Sequence, residues 1–150
     1  MTLSLPLRRW LAVPLFALAL TGCDVTGYDD DVEGWYSYGG TLDGEPGYTV
    51  NGELRIHSQY RDEAYADFEW YMLEGSREIF EVFAEDVWVD IDSGGRIRFT
   101  VRGDLQLDDG RWRDFQLEHE GRLSGSTLRG SWRLETDLPS TDEGRFSARR

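Results

Sequence analysis

Alternation of apolar and polar residues is what most constrains this chain, because a period of two fits an extended strand with one dry and one wet face. Tyr48, Val50, Gly52, Leu54 and Ile56 fall on one face of such a strand, and Thr49, Asn51, Glu53, Arg55 and His57 on the other. A polar turn at Arg61-Asp62-Glu63 follows, and Ala64, Ala66, Phe68, Trp70 and Met72 repeat the pattern. Phe80, Val82 and Ala84 carry it on until Glu85-Asp86 breaks its phase. No segment after Cys23 has a convincing helical period. The fold class is all-β.

Turn chemistry sets the pairing. Gly34-Trp35-Tyr36-Ser37-Tyr38 opens the first strand, and Asp43-Gly44-Glu45-Pro46-Gly47 reads as the loop to the second. If Ser58 faces Ala64, Gly52 faces Trp70, and the large ring can cover the glycine. A three-residue loop Ser93-Gly94-Gly95, with Gly95 left-handed, puts Ile91 opposite Ile97, Val89 opposite Phe99 and Val87 opposite Val101. The same register aligns Asp92 with Arg96, Asp90 with Arg98 and Asp86 with Arg102; the apolar pairs set it and the charges reinforce it. Asp109-Gly110 signals a type I′ turn pairing Leu107 with Trp112, which leaves Phe115 and Leu117 out of phase and calls for a bulge near Arg113-Asp114. Gly125-Ser126 suits a type II′ turn, so Leu123 faces Leu128, Gly121 faces Gly130, His119 faces Trp132 and Leu117 faces Leu134. Outside, Glu118 meets Arg133, and Arg122 conflicts with Arg129. A loop at Pro139 to Glu143 leads to a last strand, Gly144 to Arg149, with Phe146 and Ala148 inward.

About eight antiparallel strands joined in sequence by short turns leave two exposed edges, and closure into an up-and-down barrel removes them. A two-sheet sandwich is the alternative. Gly34-Trp35 at the first strand, together with Leu123-Ser124-Gly125-Ser126-Thr127-Leu128-Arg129-Gly130-Ser131-Trp132 near the end, resembles calycin barrels of the avidin and lipocalin type. The resemblance implies a closed barrel and carries no ligand-binding residue across.

The start of the chain is different in kind. Arg8 and Arg9 precede an apolar run from Trp10 to Leu20 that is too short to span a bilayer, and Thr21-Gly22 supplies small residues before Cys23. Leu20-Thr21-Gly22-Cys23 resembles the lipobox of bacterial lipoproteins. That resemblance implies removal of residues 1–22 as a signal peptide, a diacylglyceryl group on the Cys23 sulfur and a further acyl chain, such as palmitate, on its new amino group. The competing readings are an ordinary secretory signal and an uncut signal anchor. Arg8-Arg9 lacks the flanking Ser or Thr and Lys of a twin-arginine signal, yet both export routes stay open. Residues 23–31, with Asp24, Asp29, Asp30 and Asp31, read as an acidic tether, and 32–150 as the single barrel domain. The expected location is the cell envelope, lipid-anchored and facing the periplasm or exterior. Aspartate after the lipidated cysteine favours the inner membrane in enterobacterial lipoproteins, but the sorting system here is open.

The chain carries 29 acidic against 16 basic residues, and two of the basic ones, Arg8 and Arg9, lie in the leader. Such an excess argues against nucleic acid and favours solubility or a basic partner. Cys23 is the only cysteine, so no internal disulfide can form. Only two histidines are present, and His57 falls on a wet face among carboxylates that alternate with Arg. Neither a nucleophile with its base nor a metal or cofactor site is evident, so the expectation is a noncatalytic protein. Asp29 to Asp31 and Asp90-x-Asp92 lack the spacing or the later acidic ligand of a calcium loop.

Two functions fit. One is a small apolar ligand inside the barrel; the other is an envelope interaction or inhibitor module that meets a basic protein, as in the lipid-anchored lysozyme inhibitors whose architecture this resembles. The candidate ligand-binding residues are His119 and Trp132 on one wall with Trp70 and Tyr36 on the other. The plainer account of His119 is a neutral core histidine bonded to a tyrosine or a backbone carbonyl.

Overall fold

A computed structural model of the chain describes residues 31–106, 110–137 and 141–150. Eight strands follow one another: β1 (Gly34–Leu42), β2 (Tyr48–Tyr60), β3 (Glu63–Glu74), β4 (Arg77–Ile91), β5 (Arg96–Gln106), β6 (Trp112–Ser124), β7 (Thr127–Thr136) and β8 (Thr141–Arg149). Each pairs antiparallel with the next, and β1 pairs with β8, closing an up-and-down barrel. The sandwich alternative is thereby set aside, and the lipobox residues and Cys23 lie outside the described residues.

Most of the expected register is present. Gly52 faces Trp70, Ile91 faces Ile97, Val89 faces Phe99 and Asp90 faces Arg98. Gly95 takes a φ of 73°, as its loop requires. His119 faces Trp132, Gly121 faces Gly130 and Leu117 faces Leu134. The Arg122–Arg129 opposition is real; nearby, Arg96 Nε lies 3.5 Å from Glu120 Oε1, which places a carboxylate among these cations. An indole does lie over a glycine, but at another pair. A Cβ on Gly144 would come within 2.7 Å of the Trp132 ring, whereas at Gly52 the Glu69 backbone closes in.

Four expectations are corrected. Ser58 does not face Ala64: the register shifts between His57 and Tyr60, and Ser58 has a φ of 58°. The β4–β5 ladder holds three pairs among the described residues, Val89–Phe99, Asp90–Arg98 and Ile91–Ile97, so Val87–Val101 and Asp86–Arg102 are not formed. The ladder stops beside a shift of register between Ala66 and Phe68 on β3, where Asp86 is left-handed at φ 52°, and irregularities of this kind bend a strand. Arg102 bonds Gln116 instead, at 2.7 Å. The bulge near Arg113-Asp114 is absent, because β5 and β6 keep one register from Arg96–Arg122 to Gln106–Trp112. Trp112 pairs with Gln106, and Leu107 lies outside the described residues. Finally, β8 begins at Thr141, inside the expected loop, since Asp142 and Glu143 already pair with Leu134 and Arg133.

Inward residues make one continuous core, including Tyr36, Tyr38, Leu54, Phe68, Trp70 and Trp132. One end is plugged. Val32 is fully buried, its N–H donates to Gln59 Oε1 at 2.9 Å, and its carbonyl accepts from the Tyr36 hydroxyl at 2.8 Å. Arg150 reaches the Asp31 and Glu33 carbonyls from the far end of the chain. At the other end Leu42, Tyr48, Phe80 and Phe115 are half-buried, so the opposite mouth is apolar and wetter.

Candidate functional site in the barrel interior

His119 stands inward on β6 because alternation from Leu117 to Leu123 carries it there, and it is 2% exposed. Its ring stacks on Phe99 with centroids 4.6 Å apart and planes 4° apart. Phe68, Tyr38 and Phe146 meet it edge-on at 4.9, 5.6 and 5.4 Å. The Tyr38 phenol oxygen lies 3.0 Å from His119 Nε2.

Burial among these rings pushes the His119 pKa down to about 3, because a charged imidazole there has lost its water. Burial likewise raises the Tyr38 phenol well above its usual range, with Trp70 offsetting part of the rise. Both groups are neutral at pH 7. With the Tyr38 hydroxyl donating to Nε2, the ring proton sits on Nδ1. That atom is buried with no partner, and so is Trp132 Nε1, whereas the Trp70 indole N–H is directed to the Tyr38 hydroxyl. The two indoles pack edge to face at 5.4 Å and 68°.

Of the four residues named from the sequence, His119 and Trp132 are neighbours across β6 and β7, and Trp70 packs on Trp132. Tyr36 stands apart, its hydroxyl committed to Val32 at the plugged end. The tyrosine that reaches His119 is Tyr38, one inward position further along β1. Tyr38 shares the buried face of Tyr36 on β1, and strand alternation does not supply the height of each strand in the barrel. His57 is not a plain surface residue either: its Nε2 lies 3.3 Å from Asp67 Oδ1 and 3.6 Å from Asp86 Oδ1.

Concavities mark three further surfaces. At the unplugged mouth a depression of about 280 Å³ is lined by Leu42, Tyr48, Met72 and Ile79 with the carboxylates Glu45 and Asp142. On the outer wall, about 310 Å³ lies between Trp35 and Phe83, with Glu53, Asp67, Glu69 and Glu85 around it. Trp35 is 60% and Phe83 66% exposed, and the Arg55 guanidinium sits over the Trp35 ring at 5.0 Å. A larger outer depression, about 500 Å³, is edged by alternating charges: Arg98, Glu118, Glu120, Arg133, Glu143 and Arg145. Elsewhere on the outer wall Asp104 opposes Asp114, and the hydrogen bond between the two carboxyls raises the Asp114 pKa.

Fold and interior together define a closed eight-stranded antiparallel β-barrel with an aromatic core built around one neutral histidine. No family model and no curated protein matches the chain. The solved structure of EF1p2_mFAP2b bound to DFHBI is similar in fold, with a TM-score of 0.56 at 8% identity, covering 79% of this chain and 92% of that one.

Proposed function

We propose that this chain is a lipid-anchored cell-envelope protein, held by acyl chains on Cys23, whose barrel binds a small apolar ligand without catalysis. The observation that carries the reading is the pair of buried polar atoms without protein partners, Trp132 Nε1 and His119 Nδ1, on inward side chains that face each other across β6 and β7. A buried donor left unpaired costs about 1 to 3 kcal/mol, and a ligand polar atom beside it offsets that cost. The depression at the mouth includes Met72, two residues along β3 from Trp70, which makes this end the side of entry in this reading. Barrel mouths are common ligand sites. The similar barrel of EF1p2_mFAP2b is bound to DFHBI, which supports a small-molecule role for this architecture. The leader residues Arg8 to Gly22 and the acidic tether support the envelope location.

The test is mass spectrometry of the protein purified from its native membranes, with His119→Ala alongside. A small molecule that copurifies with the wild type and is lost from the folded variant supports the reading. A wild-type protein free of small molecules, with a variant merely destabilised, overturns it and leaves His119 as core.

A second reading has its own observation: Trp35 and Phe83 flank four carboxylates on the outer wall, a surface suited to a basic protein partner. Binding of that kind weakens with salt and with Trp35→Ala.

A further inference from the structure

Three strands bring one imidazole and two carboxylates to a point on the outer wall. His57 is on β2, Asp67 on β3 and Asp86 on β4, and one donor atom from each lies within 4.8 Å of the other two. Regular pairing sets His57 opposite Tyr65 and Asp67 opposite Arg55, which makes His57 and Asp67 diagonal neighbours on one face. The register shift between Ala66 and Phe68, where Asp86 is left-handed, adds the second carboxylate.

We propose that His57, Asp67 and Asp86 bind a divalent transition-metal ion of the zinc type, leaving a fourth position open. The spacing carries the assignment. Zinc bonds of about 2.0 to 2.2 Å to nitrogen and oxygen place tetrahedral neighbours about 3.3 to 3.6 Å apart. Here His57 Nε2 is 3.3 Å from Asp67 Oδ1 and 3.6 Å from Asp86 Oδ1. An imidazole with two carboxylates and no thiolate suits zinc and its neighbours over copper(I), and the nitrogen ligand disfavours calcium and magnesium. Supporting contacts are in place as well. Ser58 Oγ lies 3.3 Å from His57 Nδ1, where it can accept that N–H and turn the Nε2 lone pair toward the carboxylates. Arg55 Nη1 sits 3.6 Å from Asp67 Oδ2, the oxygen not facing His57, and steadies the carboxylate while competing for its charge. The Asp86 side chain is 79% exposed, so an ion can enter from solvent.

A proton on Nε2 shared with Asp67 is the competing arrangement, and metal titration separates the two. Zinc(II) is titrated calorimetrically into the full chain purified from membranes, then into His57→Ala and Asp86→Asn. Asparagine tolerates the left-handed backbone, so the second variant keeps the fold. One ion per wild-type chain is expected, bound about tenfold or more tighter than by either variant, and cobalt(II) should give the intense visible bands of a four-coordinate ion in the wild type alone. Equal zinc affinity in wild type and His57→Ala, or a pale six-coordinate cobalt spectrum in all three, overturns the site.

Discussion

Tyr38 and His119, 81 residues apart in sequence, meet inside the barrel with the phenol oxygen 3.0 Å from the imidazole Nε2. The contact joins β1 to β6, strands that share no hydrogen-bonded ladder. It ties opposite walls through the one buried histidine of the described residues. The surrounding rings of Phe68, Phe99 and Phe146 exclude water, so this hydrogen bond is made in a low dielectric where losing one partner is costly.

The first prediction concerns acid. The His119 pKa is about 3 in the folded chain and about 6.5 when unfolded, so between those values the unfolded state holds one proton more. His119 therefore adds nothing to the pH dependence above about pH 6.5. Below it, stability falls by about 1.4 kcal/mol per pH unit down to about pH 3. Denaturant melts of wild type and His119→Phe across that window should differ by this slope, since the exposed carboxylates are common to both. Parallel curves would mean that His119 titrates normally and is not buried as described.

A second prediction follows from Gly144, where a Cβ would overlap the Thr41 carbonyl and come within 2.8 Å of two Trp132 ring atoms. Thr41 is backbone on β1 and Trp132 is core, so neither yields cheaply. Gly144→Ala should cost at least about 1 to 3 kcal/mol by chemical denaturation. Gly47→Ala, where a Cβ meets nothing within 4 Å, serves as the near-neutral control.

What the sequence disclosed and what it hid divide along a physical line. The Ile91–Ile97 and His119–Trp132 pairs were legible because a two-residue period and a turn of known length fix the register of neighbouring strands, whereas Gly52–Trp70 is present although the Ser58–Ala64 pair it was read from is not. The Asp86 irregularity was legible only as a break in phase. The early end of the β4–β5 ladder beside it depends on how the strand bends in space. Tyr38 was not identified as the partner of His119, because strand-to-strand patterning says nothing about levels across a barrel. The His57, Asp67 and Asp86 group was hidden for a related reason: Asp86 joins it only through the register shift beside Asp67, which no spacing within the sequence encodes.

The β4–β5 hairpin gives a third prediction, which compares its two kinds of cross-strand pair. Ile91 and Ile97 are buried, while Arg98 is half-exposed with its Nη2 2.6 Å from Asp90 Oδ2. Ile91→Ala should cost about 2 to 5 kcal/mol and Arg98→Ala about 1 kcal/mol or less. A larger loss from Arg98→Ala would show that charge, and not packing, holds the hairpin.

Replacing Cys23 tests the anchor. If its sulfur carries the lipid, the Cys23→Ser chain should accumulate as an uncleaved or soluble form. Normal processing, with retention in membranes through detergent-free washing, would remove the lipoprotein reading while leaving the barrel untouched.

The last prediction concerns where the barrel opens. Among the described residues β4 and β5 pair only from Val89–Phe99 to Ile91–Ile97, yet β4 begins at Arg77 and β5 runs to Gln106. Each keeps its other neighbour, since β3 pairs along β4 and β6 along the whole of β5. Beyond Val89 the seam therefore lacks a ladder in the described residues, and side chains bridge it: Phe80 of β4 meets Phe115 of β6 edge-on at 5.6 Å. A strand offers alternate amides to each side, so every second amide of this stretch lacks a β partner. Hydrogen exchange should reveal this as fast-exchanging amides in Val82 to Val87 and in Val101 to Gln106, set against strong protection in Val50 to Ile56 of the unbroken β2–β3 pair. Phe80→Ala should raise exchange along the seam further without changing β2. Equal protection on both sides would mean that the ladder closes in solution, and the barrel wall would then have no weak side.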